Sequence, residues 1–185
     1  MQTRISTCIG AIVVEESSES VLGMLADVLI HPDTGRIEGF YIQVSGGFGS
    51  SLLFCRAIDV VRFGTRIYVR SAEVLCDPHE IVRLQPLLED RRSVLGQPIR
   101  TESGQKVGCC KDIQFDTDSM KMGWIFPKRF FRWRRGIAVS DIVEIRSNGI
   151  IVRDAPRPIV EEVEEHASVF DPLEVAEPSV SRVEK

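Results

Sequence analysis

Eight consecutive residues at positions 128–135 combine cations with aromatic rings. The stretch holds five cations and three aromatic side chains, namely Lys128, Arg129, Phe130, Phe131, Arg132, Trp133, Arg134 and Arg135. Cations at this density neutralise phosphates, and neighbouring rings stack on bases or enter a membrane interface. The same side chains also suit an acidic protein surface. Residues 128–135 are therefore the predicted partner-binding site.

Three interpretations of residues 128–135 are open at this point. The stretch could be a hairpin whose rings alternate into the core while its arginines are solvated. It could bind an anionic partner protein or the acidic end of its own chain. It could also bind nucleic acid or anionic lipid, although the net charge of -4 argues against a strong, non-specific nucleic-acid binder.

Charge is divided into three blocks along the chain. Residues 1–90 carry 7 Lys/Arg and 12 Asp/Glu, residues 91–158 carry 14 and 7, and residues 159–185 carry 2 and 8. The resulting net charges are -5, +7 and -6. The acidic end could fold back on residues 128–135 and compete with an outside ligand, an attraction that salt would weaken.

Other segments lack the context that their apparent chemistry requires. Residues 46–49 read Gly-Gly-Phe-Gly, but the Lys-Ser/Thr of a phosphate-binding loop does not follow. Asp116 and Asp118 lack the downstream Gly and Glu of a calcium loop, which favours a turn. The histidines are scattered, at His31, His79 and His166. We therefore predict no catalytic residue, metal ligand or cofactor.

The cysteines are odd in number and include no Cys-x-x-Cys pair, which argues against a disulfide framework or a zinc site. They are Cys8, Cys55, Cys76, Cys109 and Cys110. The adjacent pair Cys109 and Cys110 could be a redox switch. We favour two small apolar strand residues, because buried free cysteine behaves as a small hydrophobe.

Residues 22–42 predict a β-hairpin, because two β-branched and aromatic runs flank a Pro-Asp-Thr-Gly turn at 32–35. A weaker copy follows at 107–119, so the chain resembles one small β module used twice. Asp27 and Asp112 recur at equivalent positions. They could form a catalytic pair, but we expect each to cap the same turn in its own copy.

Further short strands about ten residues apart predict an all-β fold of small barrels or sandwiches. Between the two copies, Asp77 followed by Pro78 predicts the start of a short helix, which Pro86 should end. We expect a first domain at 1–76, a helical connector at 77–90, a second domain at 91–155 and an acidic disordered tail at 156–185.

A known family shares several of these turn and packing residues. They are Gly10, Leu22-Gly23, Asp27-Val28, the Pro-Asp-Thr-Gly-Arg turn at 32–36, Gly39-Phe40 and Ile-Asp-Val-Val at 58–61. In this order they resemble the PRC-barrel domain, which occurs in the photosynthetic reaction-centre heavy subunit and at the C-terminus of a ribosome maturation factor. The second copy departs from the pattern, with Met120 in place of Gly35 and Trp124 in place of Gly39.

The resemblance implies a tandem pair of protein-docking barrels with no catalytic residues. We expect a non-enzymatic adaptor that docks a macromolecular partner through barrel surfaces and residues 128–135. The alternative is an RNA-binding or ribosome-maturation-type assembly factor. Expected partners are a protein or a second copy of this chain, with RNA, a ribosomal component or an anionic membrane surface as the other possibilities, and no small-molecule substrate. No run approaches the length needed to span a bilayer and no signal peptide is evident, so we expect a cytoplasmic protein.

Overall fold

The computed structural model describes residues 1–46 and 49–154. The expected acidic tail at 156–185 and the centre of the glycine-rich segment, at 47–48, lie outside these residues. The described chain is mostly β and its strands form two sheets, which confirms the all-β class. It begins with a short strand, β1 (Gln2–Arg4), and a single helical turn, α1 (Ile5–Cys8).

The next six strands form the first sheet. They are β2 (Ile12–Glu15), β3 (Val21–Ile30), β4 (Ile37–Gly46), β5 (Gly49–Arg56), β6 (Val60–Phe63) and β7 (Arg66–Val69). Their order in the sheet is β5-β4-β3-β2-β7-β6. All neighbours are antiparallel except β2 and β7, which are parallel.

The predicted hairpin at 22–42 is formed by β3 and β4. Its turn is closed by backbone hydrogen bonds, from His31 N to Arg36 O at 2.8 Å and from Gly35 N to His31 O at 2.9 Å. Gly35 has a φ of 64°. This left-handed conformation explains why glycine stands there, since a residue without Cβ adopts it at no steric cost.

The connector consists of short turns and one short helix. Single 3-10 turns cover Ala72–Val74, Pro78–Glu80 and Val82–Leu84, and α2 covers Gln85–Glu89. Asp77 caps the second turn by accepting a hydrogen bond from His79 N at 2.8 Å. The prediction that Pro86 ends a helix was wrong, because Pro86 lies in the first turn of α2. That position tolerates proline, since its missing N–H would have no intrahelical partner there.

The second sheet has eight strands. The seven that follow the connector are β8 (Pro98–Thr101), β9 (Lys106–Asp116), β10 (Lys121–Arg129), β11 (Arg132–Trp133), β12 (Ile137–Ala138), β13 (Ile142–Arg146) and β14 (Gly149–Val152). Their main order is β11-β10-β9-β8-β14-β13, with β12 on β10 and with β1 on β9. β8 and β14 pair in parallel, as β2 and β7 do in the first sheet.

Both sheets contain β-bulges at corresponding positions. The residues left unpaired are Leu22 and Val107, Ala26 and Lys111, Glu38 and Gly123, and Val61 and Val143. Three of these pairs are 85 positions apart in the sequence and the last is 82 apart. A bulge bends its strand and increases the local twist, so the two sheets curve at the same places.

Neither sheet closes into a barrel within the described residues. In the first sheet the edge strands β5 and β6 are consecutive in the chain, and the 3-10 turn Ala57–Asp59 joins them without a ladder between them. In the second sheet the equivalent turn is Val139–Asp141. The backbone of such a turn bonds within itself and leaves the ladder, so the expectation of closed barrels was wrong for this part of the chain.

The turns of the two long hairpins bind each other. Arg36 lies opposite Lys121 in an antiparallel bridge. Ile37 N donates to Met120 O and Met122 N donates to Gly35 O, both at 2.8 Å. Gly35 and Met120 occupy equivalent positions in the two hairpins, as do Ile37 and Met122. Each hairpin therefore donates one bond and accepts one, so the contact is reciprocal.

A single hydrophobic cluster extends through both sheets. The ring of Phe63 lies edge-on to Phe115 of the second sheet, with centroids 5.6 Å apart. Strand β1 precedes the first sheet in the chain but contacts the second. Thr3 pairs with Phe115 of β9, and the guanidinium of Arg4 lies 3.9 Å from the ring centroid of Phe126. The first residues of the chain thus belong to the second sheet.

The exchange of Gly39 for Trp124 has a steric explanation. A Cβ on Gly39 would collide with the Phe54 ring and with the carbonyl oxygen of Cys55. In the second sheet the position equivalent to Phe54 is Gly136, whose own Cβ would lie 2.9 Å from the ring of Phe126. Glycine and aromatic residue have therefore exchanged places, and Trp124 meets no ring at that position.

The substitution Gly39→Ala should lower the free energy of unfolding by about 1 to 3 kcal/mol, because the added methyl forces the Phe54 ring and the backbone of Cys55 apart. Urea denaturation measures the change. Gly123→Ala is the matched control, since a Cβ there makes only ordinary contacts, the nearest 3.7 Å away. An equal loss in both variants would contradict the steric explanation.

Asp116 stabilises the second turn by accepting hydrogen bonds from Ser119 N at 2.9 Å and Asp118 N at 3.1 Å. The bond from Ser119 N lowers the pKa of Asp116 most, and the α-amino group of Met1, which donates to Asp116 Oδ2 at 3.1 Å, is the second cause. Together with the bond from Asp118 N, they bring this pKa to about 2. The pKa of Asp116 in the folded protein thus lies below its value in the unfolded chain, about 3.9. The stabilisation from the ionised carboxylate is therefore complete above about pH 3.9 and is lost as the pH falls toward about 2. The difference in melting temperature between the native protein and Asp116→Ala should shrink over that window. A difference independent of pH would contradict it.

Candidate functional site

Residues 128–135 form the tip of the β10–β11 hairpin. Lys128 pairs with Trp133 and Arg129 pairs with Arg132, which leaves Phe130 and Phe131 as the two turn residues. Two-residue turns of this kind favour Asn-Gly and similar pairs, because positive φ angles are needed. Phe130 has a φ of 53°. A bulky ring at this position is thus costly for the backbone.

The rings at the tip do not pack into the core. Phe130 is 85% exposed, Phe131 is 94% exposed and Trp133 is 53% exposed. The interpretation in which the rings alternate inward is therefore wrong. The two-residue turn explains this outcome, because its residues project beyond the last paired strand positions and have no sheet face to cover.

The cations of the hairpin surround these rings. Lys128 Nζ lies 5.4 Å from the ring centroid of Trp133, and the Arg129 guanidinium lies 5.8 Å from that of Phe130. Arg129 also donates from a terminal nitrogen to the carbonyl oxygen of Lys106 at 3.1 Å, which ties the hairpin to β9. The five cations form no ion pair with any carboxylate of residues 1–46 or 49–154.

Outside the hairpin, three arginines form ion pairs with carboxylates of the described chain, namely Arg56, Arg92 and Arg146. Arg56 bonds Asp59 at 2.6 Å, and Arg92 bridges Asp33 and Asp90 at 2.5 Å and 2.7 Å. The Arg92 guanidinium keeps the pKa values of both carboxyl groups below their usual range. The two Arg92 bonds attach the connector to the turn of the first hairpin, which is a structural role.

A second exposed apolar surface lies on the first sheet. The register places Ile12, Met24, Gln43 and Leu52 in one row across β2, β3, β4 and β5. The three apolar members are 38%, 46% and 54% exposed, in that order. The three apolar members of this row do not belong to the hydrophobic cluster that the two sheets share.

The recurring aspartates lie in the strands and do not cap the turns, so that expectation was wrong. Each follows a bulge and accepts a hydrogen bond from the next backbone N–H, at 2.8 Å for Asp27 and 2.9 Å for Asp112. Asp112 is buried and also accepts from Ser6 N at 3.0 Å and Ser6 Oγ at 2.6 Å. Asp112 thereby holds α1 against β9.

The adjacent cysteines differ in exposure because they alternate along β9. Cys110 is fully buried, whereas Cys109 is partly exposed. Burial raises the pKa of the Cys110 thiol to about 12, and the charge of Asp112 adds to this effect. The thiol therefore stays protonated and unreactive at neutral pH. Cys110 is a core residue of the strand.

Met120 and Phe130 have nearly the same backbone conformation, with φ angles of 51° and 53°. Only Met120 is buried, at 9% exposure. Phe130→Gly should leave the free energy of unfolding unchanged or raise it by up to about 1 kcal/mol, because it relieves a left-handed residue and removes no packing. Met120→Gly, its matched control, should lower it by about 1 to 3 kcal/mol. Guanidinium denaturation compares them, and a clear loss for Phe130→Gly would mean that the ring supports the fold.

Comparison of the sequence with models of known protein families and with curated proteins gives no match. Within residues 1–46 and 49–154, no helix has the length and apolar character needed to cross a membrane. In the same residues, no three His, Cys, Asp or Glu side chains converge as a metal site would require. The exposed rings of residues 128–135 form one surface of the described chain on which a function can be based.

Proposed function

We propose that this protein is a non-enzymatic docking adaptor, in which a tandem pair of PRC-barrel-like domains presents residues 128–135 to an anionic macromolecular partner. The observation that carries the proposal is the exposure of Phe130 and Phe131 within a group of five cations that lack carboxylate partners in the described chain. Such a tip contributes little to the stability of the fold.

The residues shared with PRC-barrel domains support the fold part of the proposal. Leu22 is at a bulge, Gly35 provides the left-handed turn position and Gly39 leaves room for the Phe54 ring. These are conformational and packing roles, and they explain why such positions specify a fold far better than a function. The corresponding bulges of the two sheets support the tandem arrangement.

The cations and the rings at the tip contribute to docking in different ways. The five cations, which form no ion pair with a carboxylate of residues 1–46 or 49–154, attract an anionic surface over about a Debye length, roughly 10 Å at 0.1 M salt. The rings act only at contact, where they lose exposed apolar area. The attachment of Arg129 to Lys106 reduces the entropy that this side chain loses on binding.

RNA is the second candidate partner. Exposed rings beside cations are the groups on which single-stranded bases stack, and the block at 91–158 carries a net charge of +7. In that case the slope of log affinity against log salt should fall by about 2 when three phosphate-binding arginines are removed.

The triple substitution Arg132→Ala, Arg134→Ala, Arg135→Ala tests the docking site. The full-length variant should elute from heparin, a polyanionic surrogate, at clearly lower salt than the native protein. The charge-matched control is Arg62→Ala, Arg66→Ala, Arg70→Ala, which removes three exposed arginines from β6, β7 and the residue after β7. If both variants eluted at equally lowered salt, heparin binding would depend on net charge alone, and the proposed site would be overturned.

RNA as the partner is tested with the same two variants and a fluorescently labelled single-stranded RNA. Anisotropy titrations at several salt concentrations give the affinity and its salt slope. The RNA candidate requires that binding be weakened by the hairpin triple and by Phe130→Ala, and not by the control triple. No anisotropy change at low salt would remove it.

A further inference from the structure

We propose that the anionic partner is the surface of a phospholipid bilayer, into which Phe130 and Phe131 insert while the surrounding cations bind the lipid phosphates. This inference rests on the docking function proposed above and names its partner. It concerns a peripheral attachment through a hairpin tip.

The first argument is the apolar apex. The two least buried aromatic rings in the described chain are neighbours in sequence and form the whole of a two-residue turn. Phe130 adopts a left-handed conformation that a glycine or asparagine would tolerate better. The exposed position of the two rings becomes favourable in free energy only when the rings leave water. A convex apex can place both rings in the interfacial layer of a membrane at once.

The second argument is the spacing of charge behind the apex. Arg129 and Arg132 form the first cross-strand pair behind the rings, and Lys128 and Trp133 form the second. Since a strand rises about 3.3 Å per residue, these pairs lie roughly 3 and 7 Å behind the turn. An interfacial segment buries its apolar part about 5 to 10 Å deep, so the cations would lie at the level of the headgroup phosphates. Trp133 is an amphipathic ring of the kind enriched at that level.

The third argument is that cations lie on both faces of the hairpin. Neighbouring strand positions point to opposite faces, so Lys128 and Arg129 project on opposite sides, as do Arg132 and Trp133. A planar charged surface can contact such a ring of cations from any side. Single-stranded nucleic acid is usually bound along a positively charged groove, and a convex tip with two exposed phenylalanines fits a planar surface better than such a strand.

The charge blocks also favour a defined orientation. Residues 1–90 carry a net charge of -5 and residues 91–158 carry +7. An anionic surface attracts the second block and repels the first block as well as residues 159–185, which carry a net charge of -6, so an orientation with the β10–β11 hairpin toward the lipid is favoured. The exposed row at Ile12, Met24 and Leu52 then stays available on the first sheet.

Sedimentation of the full-length protein with lipid vesicles tests the proposal. The protein should bind vesicles of phosphatidylcholine mixed with phosphatidylglycerol and not vesicles of phosphatidylcholine alone. The triple substitution at Arg132, Arg134 and Arg135 should weaken binding about a hundredfold at low salt. The double substitution Phe130→Ser, Phe131→Ser should weaken it by about tenfold for each ring. The control triple at Arg62, Arg66 and Arg70 should bind like the native protein.

Fluorescence distinguishes insertion from adsorption. In the variant Trp124→Phe, Trp133 is the only tryptophan. Its emission should shift to shorter wavelength on mixed vesicles and should be quenched by brominated lipid. Both signals should disappear when Phe130 and Phe131 are replaced by serine. Binding that depends on the arginines but not on the rings would overturn insertion.

The remaining outcomes separate the two proposals. No binding to mixed vesicles, together with heparin retention that depends on residues 128–135, would overturn the membrane inference and leave the docking function intact. Binding to RNA in place of vesicles would have the same meaning and would identify the other partner. Loss of both vesicle binding and hairpin-dependent heparin retention would overturn both proposals.

Discussion

Two backbone hydrogen bonds between hairpin turns fix how the two sheets of this protein face each other. They join Ile37 to Met120 and Met122 to Gly35. Both acceptors, Gly35 and Met120, have a positive φ, and in this conformation their carbonyl groups reach the opposite hairpin. The second hairpin tolerates Met120 there, since its side chain is buried in the joint hydrophobic cluster. The reciprocal contact then brings Phe63 against Phe115 and makes one core from two sheets.

The same contact determines which surfaces remain free. Since the turns at 31–36 and 117–121 face each other, the opposite ends of the long hairpins point away from the shared core. The tip at Phe130 and Phe131 is one of these ends, and the bond from Arg129 to the carbonyl of Lys106 holds it in place. A tip that carries exposed phenylalanines and cations at the periphery of the two sheets is consistent with the docking role proposed above.

Met120 and Phe130 illustrate how a folding constraint differs from a functional one. Their φ angles are almost equal, yet one side chain is 9% exposed and the other 85%. Burial compensates the left-handed conformation of Met120 within the fold itself. Phe130 has no such burial among the described residues, and under the docking proposal contact with a partner would supply it.

The sequence by itself determined the β class, the first hairpin and the composition of residues 128–135, because alternation, turn residues and charge clusters are local properties. The similarity of residues 107–119 to the first hairpin was visible through Asp112 and the strand pattern. Only the tertiary structure decided that the sheets stay open, that β1 joins the second sheet and that the Phe130 and Phe131 rings face water. These outcomes depend on register, on bulges and on contacts between residues more than 80 positions apart, such as Arg36 and Lys121, which no local pattern records.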